Sequence, residues 1–245
     1  MENLNVITDD LFEQMLASAH TLIAGATGCG KSVFIHNAIV RLLSKPLDDV
    51  EMILIDLKGG LELCDYEDLP HVKRFADNVQ SALDALDLAI GIMERRRQAM
   101  RPLKQKMFYG RDVYVIIDEM GFLLQNARKQ ALPKLITLSQ QGRASRVHLI
   151  CATQNPGRSQ KYGIPAEVQQ NFTFKVALHC TTAIESRAII SVAGAELLPK
   201  HGKALVWSEG YVTKEDVPMI NEDAKQEAIA HSRSVGGNIL RMRAN

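Results

Sequence analysis

The chain has 245 residues, 46% of them hydrophobic and 23% charged, the balance of a soluble globular α/β domain with room for a large core. Its 29 basic and 28 acidic residues leave a net charge of +1, so bulk charge makes no case for a nucleic-acid partner and only local patches can. The four cysteines form no C-x-x-C pair and no zinc spacing and read as reduced thiols. No apolar run approaches the roughly 18 residues of a membrane span, and the expected location is the cytoplasm.

The acidic amino terminus lacks the charged-then-apolar plan of a signal peptide. The first predicted element is a short strand, Thr21 to Ala24, which runs directly into GATGCGKS, Gly25 to Ser32. This is a complete G-x-x-x-x-G-K-[ST] phosphate loop between a strand and a helix. The glycines let the backbone curl around an anion. The N–H groups of Gly25, Ala26, Thr27, Gly28, Cys29 and Gly30, with the following helix dipole, then face a β-phosphate. Lys31 supplies a mobile charge for the β- and γ-phosphates, and Ser32 offers a hydroxyl to Mg²⁺. ATP and Mg²⁺ are the expected cofactors. Cys29 reads as a small residue that fits the loop, although a thiol at a helix start is also open to oxidation.

Apolar periodicity then predicts a helix over Lys31 to Leu43, with Pro46 marking its exit, and a buried strand over Met52 to Leu57. A weak short strand follows at Val72 to Ala76. A long helix runs from Asn78 to about Lys106, capped by Asp77 or Asn78 and bent or ended by Pro102. Val113 to Ile117 is another buried strand, and it ends in Asp118 and Glu119. Two carboxylates there fall at the carboxyl edge of the sheet, where such folds bind ligands. Asp118 would hold Mg²⁺ through water, and Glu119 would orient and deprotonate an attacking water. Met120 to Gln141 is mostly helical with a loose patch near Asn126. The strand Val147 to Thr153 ends at Gln154, placed to sense a γ-phosphate.

Further on, a strand at Phe172 to Leu178 and a helix at Thr181 to Val192 precede an antiparallel hairpin. Its strands are Lys203 to Trp207 and Tyr211 to Thr213, turning at Glu209-Gly210. The last helix covers about Glu222 to Ala230, and residues 234–245 read as a loose basic tail. The expected fold is one α/β domain over residues 1–233, with a mostly parallel sheet and helices on both faces. These parts specify phosphoryl transfer to water. They lack a cation for the charge developing on the γ-phosphate, which oligomeric motors supply from a neighbour. Arg143, in the QQGRASR segment it shares with Arg146, is the first candidate.

Taken in order, the segments HTLIAGATGCGKSVFIHNAI, DLKGGLELCDYEDLPHV, MERRRQAM, VYVIIDEMGFLL, QQGRASRVHLICATQNP and ESRAIISVAGAELL resemble the motor domain of the FtsK/SpoIIIE family of DNA translocases. The likeness spans roughly Leu22 to Val217. It implies a RecA-like P-loop ATPase core working as a homo-oligomeric, usually hexameric, ring around double-stranded DNA. It also implies that Arg143 is the trans arginine, with Arg187 as a second candidate. Donors for DNA phosphates would come from Arg128 and Lys129, and from Arg158 and Lys161 in GRSQKYG. The cluster Arg95, Arg96, Arg97, Arg101, Lys104 and Lys106 reads as a solvated or subunit-facing surface.

The sequence departs from the family pattern in three ways. It carries no recognisable membrane anchor or winged-helix domain, its Met100 to Val113 stretch is short, and Asn155 stands where many members have arginine. These departures suggest a minimal core of mobile-element, plasmid or phage type. A secretion or conjugative-coupling ATPase of the same family is the main alternative. A slow-cycling ATP-dependent assembly protein is a third reading, against which the Asp118-Glu119 pair argues.

Overall fold

The structure is a computed structural model and describes residues 6–154, 156–157 and 163–243. Apolar segments form the parallel strands β1 (His20–Ala24), β2 (Val50–Ile55), β3 (Val72–Ala76), β4 (Asp112–Ile117), β5 (Val147–Thr153) and β6 (Phe174–Ala177). The antiparallel hairpin of β7 (Lys203–Ser208) and β8 (Tyr211–Asp216) completes an eight-stranded sheet in the order β3-β2-β4-β5-β1-β6-β7-β8. The central strands are covered on both faces, so they read as unbroken apolar runs. Side chains nevertheless alternate. In β4, Tyr114 and Ile116 join one core cluster, and Val113, Val115 and Ile117 join the other.

On the first face lie α1 (Val6–Ala17), α2 (Lys31–Leu43) and α7 (Glu222–Arg243); on the second lie α3 (Val79–Met100), α4 (Met120–Gln141) and the short α5 (Ala166–Gln169). A smaller cluster packs α6 (Ala183–Ile190) against β6 and β7. This is the expected architecture, a mostly parallel RecA-like sheet with an antiparallel carboxyl-terminal hairpin.

Several boundaries fall where the sequence sets them. α2 starts at Lys31, and Asn78 caps α3 by accepting from the Ser81 N–H at 3.0 Å. The loose patch near Asn126 is a kink at Ala127 (φ −138°, ψ 32°) in α4. Pro133, six residues on, lacks the N–H that would bond the Lys129 carbonyl and adds to the irregularity.

Other expectations need correcting. α3 ends at Met100 and does not reach Lys106, because Pro102 follows. α1 was not anticipated; its polar start, Thr8-Asp9-Asp10, dilutes the periodicity, yet Phe12 is fully buried with its ring 4.7 Å from that of Phe34. Residues 234–243, expected as a loose tail, continue α7. There Gly236 does not act as a breaker. It permits close packing, since a Cβ on it would meet Pro70 at 2.1 Å.

Candidate nucleotide-binding site

β5 lies between β1 and β4, in register with both: Ala24 pairs with Thr153, and Ile117 with Cys151. The carboxyl tips of these three strands therefore sit side by side, and the phosphate loop, Gln154 and the Asp118-Glu119 pair emerge at one edge. The loop is pinned by the Ala26 N–H, which donates to the His179 carbonyl at 2.8 Å. Gly30, in the left-handed region (φ +101°), caps the start of α2 and aims that helix's free N–H groups into the loop. Lys31 is 5% exposed and folds back, its ammonium donating to the Gly25 and Ala26 carbonyls at 2.8 Å each. Burial lowers its pKa, against the nearby negative charges of Glu119 and Asp118. The cradle and the acidic tip thus share one electrostatic environment.

A chain of hydrogen bonds joins the three tips. Thr27 Oγ1 donates to Gln154 Oε1 at 2.7 Å, and the Gln154 N–H donates to Glu119 Oε1 at 3.2 Å. Glu119 is 7% exposed, its Oε2 has no hydrogen-bond partner among the described residues, and burial raises its carboxyl pKa. Asp118 is fully buried, and burial raises its pKa too. Lys58 Nζ lies 2.8 Å from Asp118 Oδ2 and pairs with it, while Oδ1 has no hydrogen-bond partner among the described residues. Burial alone would lower the Lys58 pKa; its carboxylate partner outweighs that and raises it. The unpartnered Asp118 Oδ1 and Glu119 Oε2, with the Ser32 hydroxyl on the adjoining cavity, are hard oxygen donors of the kind Mg²⁺ takes. No cluster of three or more His, Cys, Asp or Glu side chains suited to a metal occurs among the described residues.

Beside the buried acidic pair lies a cavity of about 620 Å³ lined by Lys31, Ser32, Lys58 and Gln154, and by Val217 and Met219 on its apolar side, a size suited to a nucleotide. Asn37 of α2 holds that apolar side by donating to the Pro218 carbonyl at 3.1 Å. Cys29 is buried, and burial raises its thiol pKa, which fits the reading of a small loop residue over that of a reactive thiol.

Arg143 lies elsewhere. It is exposed in the turn before β5, and that seven-residue strand separates it from Gln154 by about 23 Å at 3.3 Å per residue. Arg146 is distinguished from it by a tie to Asp112. Arg96 braces the turn, donating to the Ser145 and Arg146 carbonyls at 2.8 and 3.1 Å with its guanidinium over Phe108; it is half-buried, while the other five residues of its cluster, expected as a solvated or subunit-facing surface, are exposed. Gly142 is required there, since a Cβ would meet the Val147 and Leu138 carbonyls at 2.3 and 2.6 Å. Arg187 is exposed on α6, on the phosphate-loop side of the sheet. Arg128, just past the α4 kink, donates to the Gly163 carbonyl at 3.0 Å, and Lys129 is exposed. Asn155, Arg158 and Lys161 lie outside the described residues.

Sequence reasoning assigned no part to Lys58, to Asp56 beneath it, or to Lys200, whose ammonium would lie 3.9 Å from a Cβ on Gly28. A lysine followed by two glycines at a strand's carboxyl tip was the available signal for the first. No helix among the described residues is long and apolar enough to cross a membrane.

With this geometry established, comparison with known proteins is consistent. Residues 5–109 match the FtsK/SpoIIIE family model. The chain is 34% identical to the DNA translocase FtsK of Chlorobaculum tepidum over 227 residues, covering 83% of this chain and 27% of that protein. It is 30% identical to the DNA translocase FtsK of Corynebacterium efficiens over 244 residues, covering 85% of this chain and 25% of the relative. The chain thus spans about a quarter of the length of these relatives. Among solved structures, it shares its fold with the pCW3 conjugation coupling protein TcpA in its monomer form with ATPγS (TM-score 0.75, 20% identity, 88% of this chain and 65% of that one). The cytoplasmic domain of the Thermomonospora curvata Type VII secretion ATPase EccC is similar (TM-score 0.71, 22% identity, 88% and 28%). The motif order, the sheet and these relatives agree, and the chain is similar to the FtsK/SpoIIIE family over residues 5–109 and to FtsK relatives over more than four fifths of its length.

Proposed function

We propose that this chain is an ATP-hydrolysing motor that moves double-stranded DNA through a homo-oligomeric, hexameric ring. The observation that carries the reading is the hydrogen-bonded line Thr27–Gln154–Glu119 beside Asp118 and Lys31, with Arg143 exposed at the opposite edge of the sheet. Lys31 and the loop N–H groups hold the β- and γ-phosphates, Ser32 and Asp118 would hold Mg²⁺, and Glu119 takes the proton of the attacking water. The metal, when bound, neutralises phosphate charge. Gln154 links the terminal phosphate to the base. Arg143 is too far away to serve its own site and serves the next subunit's, in a head-to-tail arrangement. Arg128 and Lys129, with Arg158 and Lys161, contact DNA phosphates without reading sequence. The relatives named above at 30% identity or more are DNA translocases, which favours DNA over an exported protein as the substrate.

The test is ATPase rate with and without duplex DNA at low salt, alongside mass in solution with a non-hydrolysable ATP analogue. Duplex DNA should raise the rate, and neutralising Arg158 and Lys161 together should blunt that rise. A flat response to DNA would favour an export or coupling ATPase.

A further inference from the structure

β2 ends at Ile55 beside the tip of β4, where the Asp118 N–H donates to the Ile55 carbonyl at 3.0 Å. The chain then wraps around one buried carboxylate. Asp56 accepts from the N–H groups of Lys58 (3.1 Å), Glu62 (2.8 Å) and Leu63 (3.0 Å). Gly59 and Gly60 follow Lys58 in the left-handed region (φ +81° and +73°), so the chain turns away at once. The Lys58 backbone is thereby fixed while its side chain reaches across to Asp118. The two ends of this ion pair are unlike: the Asp118 side chain is 0% exposed, and that of Lys58 is 32% exposed on the wall of the nucleotide cavity.

A buried carboxylate is costly to leave charged and alone. Lysine is the residue suited to neutralise it reversibly, being a compact charge on a flexible four-carbon stem. We propose that Lys58 competes with the divalent cation for Asp118, neutralising the carboxylate when the nucleotide site is empty and releasing it toward a metal when nucleotide enters. The inference rests on Asp118 being the carboxylate that faces the metal. The released ammonium remains tethered by the Asp56-bound loop, on the same cavity as Lys31, and turns to the incoming phosphates. The site therefore resists a metal that arrives without nucleotide, since nothing then takes up the displaced lysine charge.

The experiment is Mn²⁺ binding alone, without nucleotide, followed by electron paramagnetic resonance. Lys58→Ala should bind Mn²⁺ about 5–150-fold more tightly than the parent, the usual span of coupling between two linked binding events. Lys58→Arg should bind as weakly as the parent, and Asp118→Asn in the Lys58→Ala background should abolish the gain. Unchanged Mn²⁺ affinity in Lys58→Ala, or a gain that survives Asp118→Asn, overturns the proposal. If Lys58→Ala does not fold, Lys58→Gln, which still reaches Oδ2 without a charge, carries the same comparison. The measurement involves neither DNA nor turnover, so a flat ATPase response to DNA would sink the motor reading and leave this one standing.

Discussion

Lys31 lines the nucleotide cavity and Glu119 lies buried behind Gln154, and the roles proposed for them act on different quantities. Removing the Lys31 ammonium removes attraction for phosphate in both ground and transition states. Lys31→Ala should weaken binding of a non-hydrolysable analogue and cut turnover by about 10²–10³-fold. Glu119→Gln keeps the side-chain volume and an acceptor for the Gln154 N–H and loses only the base. It should bind the analogue as the parent does and lose about 10²–10⁴-fold in turnover; parental turnover in that variant would remove Glu119 from its role. The phosphate loop was legible in the sequence because a backbone curled around an anion demands glycines at fixed spacing. Lys58 was not, because its partner is decided by β2 and β4 lying in register, sixty residues apart in the chain. Nor could residue type separate Arg143 from Arg146. Only the fold brings Asp112 to Arg146 and leaves Arg143 in solvent.

At the scale of elements, α2 and β5 appear with the boundaries their apolar periods and flanking residues set, since each is buried and each ends at a glycine-rich or polar break. α1 and the far half of α7 were missed because tertiary contacts, not local pattern, hold them: Phe12 against Phe34, and Gly236 against Pro70. The turn between α4 and β5 tests how much a function can depend on packing beneath it. Gly142→Ala forces a methyl group against two backbone carbonyls and should cost about 1–3 kcal/mol of stability, the range for overpacking, read as a lower urea midpoint. Because the same turn carries Arg143, turnover should fall further than the stability loss accounts for. A variant as stable as the parent would show that the close approach at Gly142 relaxes freely.

For the molecule as a whole, Arg143 and the nucleotide cavity lie at opposite edges of the sheet, and the function proposed above has each subunit complete its neighbour's site. Arg143→Ala should lose about 10³–10⁵-fold in turnover with analogue binding intact. Mixing it with Lys31→Ala subunits, which keep Arg143, should restore part of the activity; absence of rescue in mixed assemblies would argue against a shared site. The α/β class and strand count were legible from alternating apolar runs, whereas the pairing order that puts β5 between β1 and β4 belongs to long-range topology. One contact extends beyond chemistry. α2 begins with the lysine of the phosphate cradle and, six residues and about 9 Å later, grips the Pro218 carbonyl through Asn37. A single stiff rod thus spans the pocket, fastening floor to far wall. The segment that follows the β7–β8 hairpin and the phosphate cradle are anchored to one and the same helix.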